Sequence, residues 1–223
     1  MKPKLVTDAL PVAMAALVSL FAGCVARPTW HGDEGTAYDV LNRSTIALLD
    51  IDRSALNGPV GAAMHDACAL FVFPGAQAGV ASSAATRGAG ILLARERNDG
   101  PWAGPAFYSL RVHGDGRSDH ADIRGWVIAV GCDALPRLLA DPRARDGGDA
   151  ALDDVPGNAI AGWTLSARKL RPTSLEDVSL RALPAISMAY YQAPAPPRAI
   201  LVERSVRNDA SAEILSAIET VTR

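Results

Sequence analysis

The sequence predicts an α+β fold, an antiparallel sheet or partial barrel flanked by N-terminal and C-terminal amphipathic helices. Three patterns predict it. Near the start, Ala37, Val40, Leu41, Ala47, Leu48 and Ile51 recur at helical spacing, with Asp39, Asn42, Arg43 and Asp50 on other faces. From "LFVF" at residues 70–73 to about residue 130, short β-rich runs such as "GILLARE", "AFYSLRV" and "GWVIAV" alternate with Gly, Asp and Pro turns. At the far end, Asn208 or Asp209 can cap a helix whose Ile214, Leu215, Ile218 and Val221 form a docking stripe.

The first helix lacks the aromatic and lysine content of helices that lie in a lipid interface, so its stripe is expected to pack on the core. "GPVGAAMHDACA" reads as a second short helix ahead of the strand, and "CDALPRLLA" as a short helix or turn. The polar "DPRARDGGDAALDDVPG" reads as a mobile loop. Strand-like segments return in "AIAGWTLSA", "ISMAYYQ" and "RAILVERSV", the last two separated by the stiff turn "APAPPR".

Ahead of this domain stands a targeting segment. Lys2 and Lys4 precede an apolar stretch from Ala9 to Ala22, too short for a spanning helix of about 20 residues and suited to a secretory signal. The stretch ends in Phe21-Ala22-Gly23-Cys24, which resembles the lipobox of bacterial lipoproteins. The organisation expected is a signal peptide over 1–23, a tether over 24–36 and a domain over 37–223. Cys24 would carry the lipid, and several acyl chains of the palmitate type would anchor the protein almost permanently. With valine and not aspartate after Cys24, the expected location is the cell envelope, at the periplasmic face of the outer membrane or the cell surface.

The 223-residue chain carries 22 basic and 24 acidic residues, interspersed, for a net charge of -2. Nothing in that balance indicates nucleic acid as a partner. Cys68 and Cys132 remain after lipidation; in an oxidising compartment they can form a disulfide, and the apolar context "HDACALFVF" suits a buried thiol equally well. No CxxC, HExxH, phosphate-binding loop or GxSxG motif occurs, no cofactor is expected, and an enzyme is not the expected class.

Phe73-Pro74, the small-residue run Gly88-Ala89-Gly90-Ile91-Leu92 and the cluster Gly100-Pro101-Trp102-Ala103-Gly104-Pro105-Ala106-Phe107-Tyr108 together resemble the SYLF-domain family. "GWTLSARKL" and "MAYYQ" look like its later hydrophobic strand and its terminal Tyr-Tyr-Gly, with Tyr191 in place and Gln192 where glycine is usual. The resemblance covers about residues 37–222. This chain departs from the family with Ala84-Ala85 where paired glycines are common, and with the charged "RVHGDGRSDHADIRGW" where a glycine-rich strand usually follows.

The resemblance implies binding of membrane phospholipids. Trp102, Pro105, Phe107 and Tyr108, with Phe73, Pro74, Gly88, Gly90 and Tyr191, are read as scaffold, because aromatic and glycine residues of strands and turns serve packing first. For the lipid head, arginines are the candidates, since a guanidinium pairs with phosphate in a bidentate way. Arg87, placed before a small-residue turn, Arg111 after the aromatic strand, and the cluster Arg168, Lys169 and Arg171 are the positions chemistry singles out.

Two other classes remain. His113, Asp115, Asp119, His120 and Asp122 could gather around a metal or supply a general base for a metal-dependent hydrolase, although the same stretch reads as a solvated turn. Alternatively, the domain is a structural or interaction protein of the envelope, displayed by its anchor to bind a protein or a glycan.

Overall fold

A computed structural model describes residues 31–75, 86–112, 123–140, 150–152, 159–176 and 178–223. Cys24 and the cluster from His113 to Asp122 lie outside the described residues.

The first helix, α1, spans His31–Leu49, with Asp33 and Glu34 in its first turn, where acidic groups complement the helix dipole. It therefore takes in residues 31–36 of the expected tether. Ala37, Val40, Leu41, Leu48 and the following Ile51 are buried, so the stripe does pack on the core. A 3-10 turn, Arg53–Leu56, is capped by Asp52, whose carboxylate accepts from the Ser54 amide at 2.9 Å. Helix α2, Pro59–Asp66, starts with proline at a position whose amide needs no partner.

Four long strands follow: β1 (Ala69–Pro74), β2 (Thr86–Ala94), β3 (Ala103–Val112) and β4 (Gly125–Val130). After α3 (Leu135–Ala140) come β5 (Ala150–Ala151), β6 (Ile160–Ser166), β7 (Lys169–Thr173) and β8 (Val178–Ala182). Helices α4 (Pro184–Tyr191), α5 (Pro197–Leu201) and α6 (Ala212–Thr222) complete the chain. The strands form one antiparallel sheet in the order β5-β8-β3-β2-β1-β4-β6-β7, curled into a half-barrel. The predicted α+β class, with helices at both termini of the domain, is the observed one.

The reason that "ALFVFP" is apolar throughout is that both faces of β1 are covered. Phe71 and Phe73 share one face with Tyr108, Leu110, Trp126 and Ile128, under α3 and α5. Leu70 and Val72 face the other way, toward Val40 and Leu48 of α1, Met64 of α2, Tyr190 of α4 and Ile214 of α6. Each such side chain contributes roughly 1.5–3 kcal/mol on burial. The Phe71 ring meets Phe73 at 5.8 Å in a stacked arrangement and Tyr108 at 5.2 Å edge-on.

Several segments differ from expectation. "ISMAYYQ" and "RAILVERSV" supply α4 and α5, not strands. Short apolar runs fit either structure, and here Pro184 and Pro197 at the first helical positions decide for helix. Strands β7 and β8 were hidden within the charged "RKLRPTSLEDVSLRA". Pro172 is tolerated because β7 is an outermost strand, where a missing amide costs no ladder bond. Within the expected polar loop, Ala150 pairs with Leu180 and Leu152 is buried. Arg87 stands in β2 opposite Arg111, so the small-residue turn expected there is extended strand.

Cys68 and Cys132 form a disulfide, which settles the two alternatives the residues left open. It joins the entry of β1 to the exit of β4, already paired through Ala69 and Val130. With the cysteines 64 positions apart, a chain-entropy treatment assigns the bridge about 4 kcal/mol. Reducing it should lower the free energy of unfolding by about 2–4 kcal/mol, read from urea midpoints with and without reductant.

Gly90 lies opposite Tyr108 and beneath the Phe73 ring. A Cβ there would stand 2.2 Å from the Val72 carbonyl oxygen and 2.4 Å from Phe73 Cδ1, and the backbone of β1 cannot retreat. Gly90→Ala should destabilise the domain by about 1–3 kcal/mol or more in the same measurement.

Candidate functional site

The Trp-Pro-Phe-Tyr motif begins β3, and the chain around it is fastened from three sides. Arg95, buried after the bulged end of β2, donates through Nε to the Ala67 carbonyl at 2.9 Å and through Nη2 to that of His65. Its guanidinium sits 4.6 Å from the Trp102 ring centroid. One cation thus satisfies the free carbonyls at the end of α2 and holds the motif's tryptophan. Burial lowers the Arg95 pKa, an effect opposed by Asp99 and Asp66. Nothing in the sequence marks Arg95, because a charge after "GILLA" has the pattern of an exposed strand end.

Gly104 takes a φ of +135°, and a Cβ there would lie 2.8 Å from Leu93 Cδ2 and 3.0 Å from the Leu92 carbonyl oxygen. Glycine is needed for β3 to start this close to β2 and α5. The Pro105 carbonyl accepts from the Tyr191 hydroxyl at 2.9 Å. Tyr190 packs edge-on against Phe107, Tyr38 and Tyr191, and its hydroxyl pairs with Ser211 Oγ at 3.0 Å. Gln192 ends α4 in the left-handed region, φ 53°, a conformation that favours glycine. The tyrosine pair thereby ties α1, β3 and the start of α6 together.

Between this motif and the segment joining α5 to α6 runs a groove of about 500 Å³. Pro101, Trp102, Ala103 and Gly104 form one wall; Ile200, Val206 and Leu215 supply apolar surface from the other side. Its polar lining residues are Arg204, Arg207, Asn208, Asp209 and Ser211, the last already paired with Tyr190. Arg204 has a φ of 52°, unusual for a side chain of its size, and donates through Nη2 to the Pro101 carbonyl at 2.9 Å, so that it spans the groove's rim. Asn208 is fixed by donation to the Tyr190 carbonyl at 2.7 Å and acceptance from the Ala210 amide at 3.0 Å. Arg207 and Asp209 are exposed, and their side chains make no ion pair or hydrogen bond with a described residue.

The arginines and lysine singled out by sequence occupy the other end of the sheet. Arg87 and Arg111 are register partners in β2 and β3, with Arg111 about 24 Å along β3 from Gly104 at about 3.4 Å per residue. The Arg168 cluster belongs to the β6–β7 hairpin, four strands from β2 in the sheet order. Ala167 and Arg168 form its two-residue turn with φ of 43° and 69°. Arg168 donates through Nε to the Asp50 carbonyl at 3.2 Å, and its own carbonyl accepts from the Asp52 amide at 3.0 Å. Arg168 therefore fastens the hairpin to the end of α1, while Lys169 and Arg171 are exposed. Asp52, in turn, has its carboxyl pKa lowered mainly by the Ser54 amide bond, with help from Arg168 and Lys169.

The motif residues Phe73, Trp102, Phe107 and Tyr108 are buried. Among the described residues no group of three or more His, Cys, Asp and Glu is placed to hold a metal, and none of the described helices is long and apolar enough to cross a membrane. No protein-family profile, curated protein or solved structure matches the chain.

Burial raises the pKa of three tyrosines. Tyr190 is pushed from an ordinary 10.0 up to about 12, and Tyr108 and Tyr191 are raised further. Because the folded pKa exceeds the unfolded one, the unfolded chain gives up these protons first. The associated stability is whole below about pH 10 and drains away as pH rises through 12. The urea midpoint should therefore fall steeply above pH 10, with the tyrosinate absorbance of these three appearing together with unfolding.

Proposed function

We propose that this protein is an exported, lipid-anchored protein of the cell envelope whose SYLF-like domain binds phospholipid and catalyses no reaction. The observation that carries the binding part is the groove beside Trp102: apolar along its walls, open to solvent, and edged by Arg204 and Arg207. Its volume, about 500 Å³, suits the head and glycerol region of a lipid. The Cys68–Cys132 disulfide supports export, since such bonds persist in oxidising compartments and are rare in the cytosol. The pattern Phe21-Ala22-Gly23-Cys24 supports the anchor, and the motif from Gly100 to Tyr108 supports the family.

The anchor is tested by mass spectrometry of the chain made in a bacterial host. A mature form beginning at Cys24 with added acyl mass is expected, and Cys24→Ser should lack it. Binding by the domain is tested with residues 24–223 carrying Cys24→Ser, exported on an unrelated cleavable leader so that the disulfide forms. This chain should co-sediment with phospholipid vesicles although no acyl chain holds it. Absence from every vesicle pellet would mean that Cys24 supplies all membrane attachment, and would leave an envelope interaction protein as the reading.

A further inference from the structure

The groove carries more than a positive rim. Arg207 and Asp209 stand two residues apart and line the same groove, yet no ion pair joins them. Neither side chain has a described partner elsewhere. Arg204 commits one nitrogen to Pro101 and retains further donors. The groove thus offers two guanidinium groups and one carboxylate beside an apolar wall. A ligand with only an anion would meet the carboxylate unfavourably. A ligand with an anion and a cation on one short arm matches all three charges.

We propose that the groove between the Pro101–Gly104 segment and the α5–α6 connection recognises the phosphoethanolamine head of a phospholipid. The phosphate lies against Arg204 and Arg207, and the primary ammonium donates to Asp209. The glycerol end rests on Val206, Leu215 and the edge of Trp102. An ammonium with three N–H groups can donate to a carboxylate, whereas a trimethylammonium head presents only methyl groups there. The site therefore prefers ethanolamine to choline heads, and the asymmetry originates in Asp209. Arg204 contributes a rigid position: its left-handed backbone and its bond to Pro101 hold the guanidinium in place before any ligand arrives.

The inference rests on the phospholipid reading, so its test separates the two. The Cys24→Ser chain of residues 24–223 is sedimented with vesicles of phosphatidylcholine alone, and with the same vesicles containing either phosphatidylethanolamine or phosphatidylglycerol. Soluble glycerophosphoethanolamine and inorganic phosphate serve as competitors. Binding is expected to be strongest with phosphatidylethanolamine and to be displaced by glycerophosphoethanolamine at concentrations where phosphate has no effect. Arg207→Glu should weaken binding about tenfold, the scale of one charge-assisted hydrogen bond. Asp209→Asn should abolish the preference for ethanolamine over choline while leaving binding to phosphatidylglycerol undiminished. Both side chains are exposed, and unchanged urea midpoints would show that the variants fold.

Binding that is equal for choline and ethanolamine vesicles, or that survives Arg207→Glu and Asp209→Asn unchanged, overturns the headgroup assignment and leaves the phospholipid reading standing. Displacement by phosphate as effective as that by glycerophosphoethanolamine overturns it in favour of a simple anion site. Failure to bind any vesicle overturns both.

Discussion

The structure depends on the burial of β1 from both sides. A strand with one wet face needs apolar residues only at alternate positions; a strand covered on both faces needs them throughout and cannot expose anything without losing a core. Here Phe71 and Phe73 belong to one core and Leu70 and Val72 to the other. Every other element is placed relative to that strand. Helices α1, α4 and α6 close one side, α3 and α5 close the other, and β2 and β4 hold its edges. The disulfide falls at the one end of β1 where the chain enters from a helix, and so fixes the register of β1 against β4.

The motif that opens β3 is where the two cores meet the surface. Pro105, Ala106, Phe107 and Tyr108 alternate between faces, Phe107 in the core under α1, α4 and α6 and Tyr108 in the core under α3 and α5. Trp102 is held by Arg95, a buried cation that is hydrogen-bonded to two carbonyls, lies over the ring face and is attracted by Asp99 and Asp66. The tyrosine pair at the end of α4 completes the fastening, through Pro105 on one side and Ser211 on the other. A groove whose wall is braced in this way is rigid on the side of the motif. Its charged side is a short connection anchored through Arg204 and Asn208. Rigid walls with separated charges favour selection among ligands over general adhesion, because a fixed spacing rewards one arrangement of opposite charges and not others.

The junction between the end of α1 and the β6–β7 hairpin shows how a structural role can resemble a binding one. Arg168 and Lys169 form part of the densest local basic cluster, yet Arg168 bridges the hairpin to Asp50 and Asp52 at the end of α1. Arg168 spends its Nε and its backbone on the end of α1, whereas the Arg207 side chain has no described partner.

The sequence by itself determined the α+β class, the core-facing stripes of the first and last helices and the strands from β1 to β4. Those features depend on local periodicity, which survives without knowledge of the fold. It also contained the burial of the Trp-Pro-Phe-Tyr motif, since aromatic residues in strands seek a core. Tertiary structure alone decided whether the two cysteines meet, because residues 64 apart are joined only when β1 and β4 pair. It likewise decided that "ISMAYYQ" and "RAILVERSV" are helical, where proline position outweighs composition in runs too short for periodicity to discriminate. The groove was illegible for the same reason. Trp102 lies near residue 100 and Arg204, Arg207 and Asp209 lie a hundred positions later, and their charges become one site only where α5 and α6 pack beside β3. Spacing in sequence records what neighbours along the chain can do, whereas a binding site is made of neighbours in space.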